Sequence, residues 1–170
     1  MQRLIDDVLL YSLASRDPVE LVDVDTAQVV REVIEDFSTE IDATGAEIEV
    51  SPMPHIRGVY GPLSQVLHNL VGNSLKFANG TSPLIGISAC ETDVGWCFSV
   101  RDNGIGIAPQ HVETAFRMFQ RVHGAKYAGT GMGLAVSKRI VEQFGGELWH
   151  EAAPNGGSIF SLTIPVSRIS

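Results

Sequence analysis

Cysteine is scarce in this sequence: the 170 residues include only two, Cys90 and Cys97. Two cysteines are too few for a disulfide framework, and their spacing matches no metal-ligand motif. We therefore interpret both as small side chains on neighbouring strands, with a bridge across one hairpin as the alternative. This cysteine usage favours a reduced, cytoplasmic chain.

Long apolar runs and an excess of basic residues are also absent. No stretch approaches the roughly 20 apolar residues that a membrane-spanning helix needs. The N-terminal MQRLIDDVLLYSL contains two adjacent aspartates, which makes it a poor secretory signal. The chain has 12 Lys and Arg against 20 Asp and Glu, a formal net charge of −8. Because a basic stripe is missing, we expect no nucleic-acid partner and no membrane contact.

The hydrophobic content of 44% suits one globular domain, which we place at residues 17–170. Residues 1–16 precede that domain and carry an amphipathic helical pattern that ends at Pro18. A helix of about 15 residues is marginal by itself, so this apolar stripe needs a second helix or a second chain as its partner.

Strand and helix patterns alternate along the domain, with tight polar turns within two pairs of strands. This mixed order predicts an α+β fold in which helices cover one face of a single sheet. The strand candidates are 20–24, 46–50, 84–91, 96–101, 147–152 and 158–165. The helix candidates are about 25–45, 61–77, 109–115 and 131–144.

The segment HNLVGNSLKF places three polar side chains on one face of the 61–77 helix: Asn69, Asn73 and Lys76. Asparagine is a poor helix former, so two of them in mid-helix act against local stability. A solvated helix face is one explanation. The other is a binding face, where amide oxygens coordinate a hard cation and the lysine offsets anionic charge.

A second motif, Asp102-Asn103-Gly104-Ile105-Gly106, directly follows the 96–101 strand. Gly104 and Gly106 allow a sharp turn and the close approach of a planar ligand, and Asp102 places a carboxylate at that opening. An ordinary Asp-Asn-Gly turn is the alternative.

The third motif is Gly129-Thr130-Gly131-Met132-Gly133-Leu134, at the start of a helix. Exposed backbone amides and the helix dipole make such a start suitable for phosphate, although glycine-rich loops also occur as flexible turns. It is not a Walker loop, because no Gly-Lys-Ser/Thr follows, and it lacks the strand that precedes a Rossmann fingerprint.

In this order, the motifs resemble the nucleotide-binding boxes of the GHKL ATPase superfamily, most closely those of the catalytic ATP-binding domain of sensor histidine kinases. The asparagine helix resembles the N box, the Asp102 motif the G1 box, AFRMFQR (115–121) the F box and GTGMGL (129–134) the G2 box. The resemblance covers residues 19–166 and includes features of phytochrome-type kinases. The preceding RLIDDVLLYS is similar to the end of a second dimerisation helix.

The resemblance implies a Bergerat-type two-layer α/β sandwich, with a mixed and mostly antiparallel sheet, that binds ATP and Mg²⁺. Asn73 would hold the metal, Asn69 would support that site, and Asp102 would accept a hydrogen bond from the adenine amino group. Guanine has an acceptor at that position, so we expect ATP to bind with much higher affinity than GTP. The implied ATP-binding residues are Asn69, Asn73, Lys76, Asp102, Gly104, Gly106, Phe119, Arg121, Thr130, Gly131, Gly133 and Leu134.

The implied activity is transfer of the ATP γ-phosphate to a histidine on a dimerisation domain, followed by relay to an aspartate of a response regulator. The full-length protein would be a homodimer. We find no acceptor histidine in this chain and identify no secure catalytic residue, so we expect no autophosphorylation by the chain alone. One alternative is a degenerate nucleotide-binding interaction module. A hydrolytic ATPase head is disfavoured because positions 65–69, Gln-Val-Leu-His-Asn, contain no acidic general base.

Overall fold

The computed structural model describes residues 20–117 and 132–165. The seven strands of these residues are β1 Val22–Asp25, β2 Glu47–Val50, β3 His55–Gly58, β4 Leu84–Thr92, β5 Gly95–Asp102, β6 Leu148–Ala152 and β7 Ser158–Pro165. Their α-helices are α1 Thr26–Asp36, α2 Ser38–Thr44, α3 Tyr60–Lys76, α4 Val112–Ala115 and α5 Gly133–Gln143. A short 3₁₀ turn, Pro109–His111, precedes α4.

Five strands form the main sheet in the order β2-β4-β5-β7-β6. Only β2 and β4 are parallel, and the other neighbours are antiparallel. The hairpins β4–β5 and β6–β7 confirm the two pairs of strands predicted from the polar turns. The α+β class and the mixed, mostly antiparallel sheet are therefore as expected.

Helix α3 lies at the centre of the helical layer, between α1 and α5. Its apolar spacing buries Leu67, Leu70 and Val71 against the sheet, where Phe98 and Val100 of β5 are fully buried. Alternation along β5 then directs every second side chain of that strand into the same layer, and Asp102 is the last of them. This packing brings the end of β5 close to the C-terminal half of α3.

The helix predicted over residues 25–45 is interrupted, which corrects that expectation. Asp25 caps α1, since its Oδ1 accepts hydrogen bonds from the amides of Ala27 and Gln28. Phe37 then leaves the helical conformation, with φ −98° and ψ 12°. Its ring stacks on His68 of α3 at a centroid distance of 4.4 Å. That tertiary contact, in a run of weak helix formers, favours two shorter helices over one.

A separate two-stranded sheet also corrects the expectation of a single sheet. Strand β1 pairs antiparallel with β3, a strand that the sequence analysis missed. β3 has only four residues and lies between Pro54 and the start of α3, too short for its alternation to stand out. Within the described residues, no helix is long and apolar enough to cross a membrane. The helix expected over 1–16 lies outside them.

Candidate nucleotide-binding site

Asp102 is 8% exposed, and three donors among the described residues bind its carboxylate. Its Oδ1 accepts hydrogen bonds from the amides of Gly104, at 2.9 Å, and Ser158, at 3.1 Å. Its Oδ2 accepts one from the hydroxyl of Ser74, at 3.2 Å. Since a carboxylate has about four acceptor positions, Oδ2 keeps one for a further donor.

The glycines around Asp102 permit close backbone packing. A side chain at Gly104 would collide with the carbonyl oxygen of Phe77, where α3 ends. Gly157 has φ +94°, and a side chain there would collide with the carbonyl oxygen of Asp102. Gly106, the second glycine of the predicted turn, has φ +69°. These positions therefore require glycine for the fold itself.

Asn69 connects α3 to the start of α5. Its Nδ2 donates hydrogen bonds to the carbonyl oxygen of Gly133, at 3.1 Å, and to the hydroxyl of Ser137, at 3.0 Å. Its Oδ1 accepts one from Gln65. Both ends of this amide are thus engaged by protein, which gives Asn69 a structural role in holding the two helices together.

Asn73 lies one helical turn further along α3 and is half-buried. Within the described residues, no hydrogen bond engages its side-chain amide. Its carbonyl oxygen is a ligand type that Mg²⁺ accepts, so the donor chemistry of this position fits a magnesium ion. Lys76, on the same face, is exposed, with its Nζ 4.8 Å from the centre of the Phe77 ring.

Helix α5 begins at Gly133, two residues after the position expected from the sequence. Met132 precedes the helix and makes no side-chain capping hydrogen bond. The amides of a helix start are donors that suit an anion. Leu134 is partly buried against the core. A side chain at Gly133 would meet Asn69 only at an ordinary contact distance of 3.7 Å. The described residues therefore leave space beside this glycine.

Several predicted residues lie outside the described parts of the chain: Phe119, Arg121, Thr130 and Gly131. Phe116 of the same predicted F box is described, and it packs against the core. Its ring meets that of Phe160 edge-on, with 6.2 Å between centroids. Among the described predictions, the structure groups Asn69, Asn73, Asp102, Gly104 and Gly133 around the C-terminal half of α3.

Three residues of the site escaped the sequence analysis. Ser74 lies among the buried apolar residues of α3, and its hydroxyl donates to Asp102. Asn103 fastens the glycine turn, since its Oδ1 accepts from the amide of Leu84 and its Nδ2 donates to the carbonyl of Ser82. Ser158 follows a glycine pair that suggested only a hairpin. A polar residue inside an apolar stripe was the available signal for Ser74.

His150 lies beside this cluster, on β6. Burial lowers its pKa from the ordinary value of 6.5, and the nearby carboxylates of Asp102 and Glu151 only partly oppose that shift. The neutral imidazole is therefore the favoured form at neutral pH. Its Nε2 lies 2.9 Å from the hydroxyl of Ser158.

Helix α3 therefore contacts both a buried carboxylate, through Ser74, and the start of α5, through Asn69, an arrangement that suits a bound nucleotide. The family model described as "Histidine kinase-, DNA gyrase B-, and HSP90-like ATPase" matches residues 58–168, and the chain belongs to this family. It is a histidine kinase catalytic ATPase domain, homologous to those of sensor histidine kinases.

Curated relatives include phytochrome-like sensor proteins, in agreement with the resemblance found in the sequence. The phytochrome-like protein Cph1 of Synechocystis sp. is 42% identical over 169 residues, which cover 99% of this chain and 23% of the relative. The sensor histidine kinase WalK of Bacillus subtilis is 36% identical over 107 residues, or 61% of this chain and 18% of the relative. The chain thus spans about a quarter or less of these proteins.

Solved structures of histidine kinases share the fold. Full-length ShkA in complex with AMPPNP superposes with a TM-score of 0.82 at 31% identity, over 96% of this chain and 35% of that one. The nucleotide-free catalytic domain of histidine kinase ThkA gives a TM-score of 0.75 at 26% identity, over 86% of this chain and 96% of that one.

Proposed function

We propose that this chain is the catalytic ATP-binding domain of a cytoplasmic two-component sensor histidine kinase. It binds ATP with Mg²⁺ and donates the γ-phosphate to a histidine on the dimerisation domain of its own homodimer. An aspartate of a response regulator then receives the phosphate. The observation that carries this proposal is the convergence on α3: Ser74 contacts Asp102, Asn69 contacts Gly133, and Asn73 lies between them.

Asp102 recognises the adenine ring in this proposal. The acceptor position that the protein leaves open on Oδ2 suits the 6-amino group of adenine, which is a donor. Guanine presents a carbonyl oxygen there, and two acceptors would face each other in a buried site. The pocket therefore selects ATP over GTP through one hydrogen bond.

The triphosphate lies between Asn73, Lys76 and the start of α5. Mg²⁺ on the amide oxygen of Asn73 neutralises phosphate charge when it is bound. The first amides of α5 donate to phosphate oxygens, and the helix dipole adds positive potential there. We propose that Thr130, Gly131, Phe119 and Arg121, which lie outside the described residues, complete the phosphate site. These groups let a chain of net charge −8 hold a polyanion.

Phosphoryl transfer needs little covalent chemistry from this domain, because positioning and charge stabilisation dominate. Helix α3 contains no Asp or Glu. Without an acidic base on this helix to activate water, the domain favours transfer to an incoming histidine over hydrolysis.

The test is phosphoryl transfer in the full-length protein that contains this domain. With γ-labelled ATP and Mg²⁺, we expect label on a histidine, detected as an acid-labile and base-stable phosphate. Nucleotide binding without any transfer would instead support the degenerate module.

The variant Asp102→Asn tests the adenine contact. An asparagine amide can turn its donor toward the base, so the preference for ATP over GTP should fall about tenfold or more. Asp93→Asn, in the exposed β4–β5 turn, is the matched control. An unchanged ATP-to-GTP ratio in Asp102→Asn would remove this role from Asp102.

A further inference from the structure

His150 is a half-buried side chain on the inner face of β6, next to the adenine end of the site. It pairs with Phe160 across the β6–β7 ladder, and the two rings meet edge-on with 5.0 Å between centroids. Its Nε2 is 2.9 Å from the hydroxyl oxygen of Ser158, which pairs with the residue two positions further along β6. The imidazole is thus fixed by a ring contact and a polar contact.

Ser158 connects His150 to Asp102. Its side chain is bonded to His150, while its backbone amide donates to Oδ1 of Asp102 at 3.1 Å. The residue is 4% exposed, so water is a poor substitute for either partner. Ser158 therefore contacts both the imidazole of His150 and the carboxylate of Asp102.

The backbone before Ser158 does not hold that amide in place by itself. Gly156 and Gly157 both have φ +94° and precede the first residue of β7. Glycine pairs allow many backbone conformations, so the direction of the next amide needs an additional restraint. The carbonyl oxygen of Gly157, in the same peptide unit, accepts a hydrogen bond from the amide of Ala153 at 3.1 Å, and the hydrogen bond between His150 and Ser158 adds a second restraint.

We propose that His150 is a positioning residue for adenine recognition, which acts through Ser158 to orient the carboxylate of Asp102. The inference rests on the nucleotide-binding function proposed above. A neutral imidazole suits this role, because Nε2 can share a hydrogen bond with the Ser158 hydroxyl in either tautomer and the ring adds no positive charge beside Asp102.

The experiment compares ATP with purine riboside 5′-triphosphate, which lacks the 6-amino group, by titration of this chain in the presence of Mg²⁺. His150→Phe keeps an aromatic ring against Phe160 but cannot bond Ser158. Ser158→Ala removes the hydroxyl and keeps the backbone amide. In each variant we expect ATP affinity to fall about threefold to tenfold while the affinity for the purine nucleotide is unchanged.

His150→Gln is the conservative variant, since its amide can reach Ser158, and it should retain the preference for ATP. The double variant of His150→Phe and Ser158→Ala should lose no more ATP affinity than either single variant, because both substitutions remove the same hydrogen bond. His55→Gln, an exposed histidine on the two-stranded sheet, is the matched control and should bind as the unmodified chain does.

Two results would overturn the positioning role. The first is an equal loss of affinity for both nucleotides, which means general destabilisation. The second is an unchanged preference for ATP in both His150→Phe and Ser158→Ala. Failure of the proposed nucleotide-binding function would give a different result. In that case the unmodified chain itself binds the two nucleotides equally, so Asp102 does not recognise the amino group.

Discussion

Asn69 and Asn73 lie one turn apart on α3, yet only the Asn69 amide is engaged by other described residues. At the scale of single residues, this difference separates a structural asparagine from one whose oxygen is available to a metal. The spacing of the two residues in the sequence could not distinguish them, because the two acceptors of the Asn69 Nδ2 group are 64 and 68 positions away.

Asn73→Ala should weaken ATP binding only when Mg²⁺ is present, because the variant removes the proposed metal ligand and no side-chain hydrogen bond within the described residues. We expect about a tenfold loss with Mg²⁺ and little change in EDTA. The measurement is the rise in melting temperature with ATP in each buffer, since a ligand of the native state stabilises it. Asn79→Ala, just beyond α3, is the control, and equal losses in both buffers would argue against a metal ligand.

Two glycines of the site should respond differently to alanine. Gly104→Ala forces a methyl group onto the carbonyl of Phe77, so we expect a loss of about 1–3 kcal/mol in the free energy of unfolding. Gly133→Ala has space and sits in a helix, so stability should hold or rise by up to about 1 kcal/mol. Denaturant unfolding checks both values.

The Gly133→Ala variant should nevertheless bind ATP more weakly, because its methyl group projects where the phosphates approach the helix start. Isothermal titration with ATP and Mg²⁺ measures this effect. Undiminished affinity in a stable Gly133→Ala variant would contradict the phosphate site at α5.

At the scale of elements, the Asn69 amide donates hydrogen bonds from α3 to α5, in addition to the apolar packing of the two helices. Asn69→Ala leaves the hydroxyl of Ser137, a fully buried residue, without that donor, so we expect a loss of about 1–3 kcal/mol in unfolding free energy. ATP binding should fall to the same degree with and without Mg²⁺, unlike the result for Asn73→Ala. Gln28→Ala, which removes an exposed surface contact, should stay within about 0.5 kcal/mol.

The elements with long, regular patterns could be predicted from the sequence. Helix α3 begins within one residue of the expected start, and the β4–β5 hairpin follows the turn signal at Asp93. The break at Phe37 could not be predicted, because it depends on a stacking partner in another helix. The short strand β3 and the hydrogen bond between Ser158 and Asp102 also depend on tertiary pairing.

At the scale of the whole molecule, His150 links stability to pH. Its pKa is lowered in the folded chain, so the neutral form is favoured by folding. The corresponding stability is fully present above the unfolded pKa of 6.5 and is lost as pH falls from there toward the folded value. Acid therefore destabilises the unmodified chain through this residue.

His150→Gln removes that titration and keeps a polar contact to Ser158. Between about pH 7.5 and about pH 5.5, the melting temperature of the unmodified chain should fall more than that of the variant. His111→Gln, an exposed position, controls for the loss of a surface histidine. Parallel melting curves for the unmodified chain and His150→Gln across this range would exclude the linkage.

The β4–β5 turn at Asp93 and Val94 lies at the opposite end of β5 from Asp102. Val94 is 64% exposed, and the seven steps along β5 place the turn about 23 Å from the carboxylate. A fluorophore or an affinity tag attached there would leave the nucleotide cleft unobstructed. The domain thus has a convenient attachment point for measuring its ligands by anisotropy or on a sensor surface.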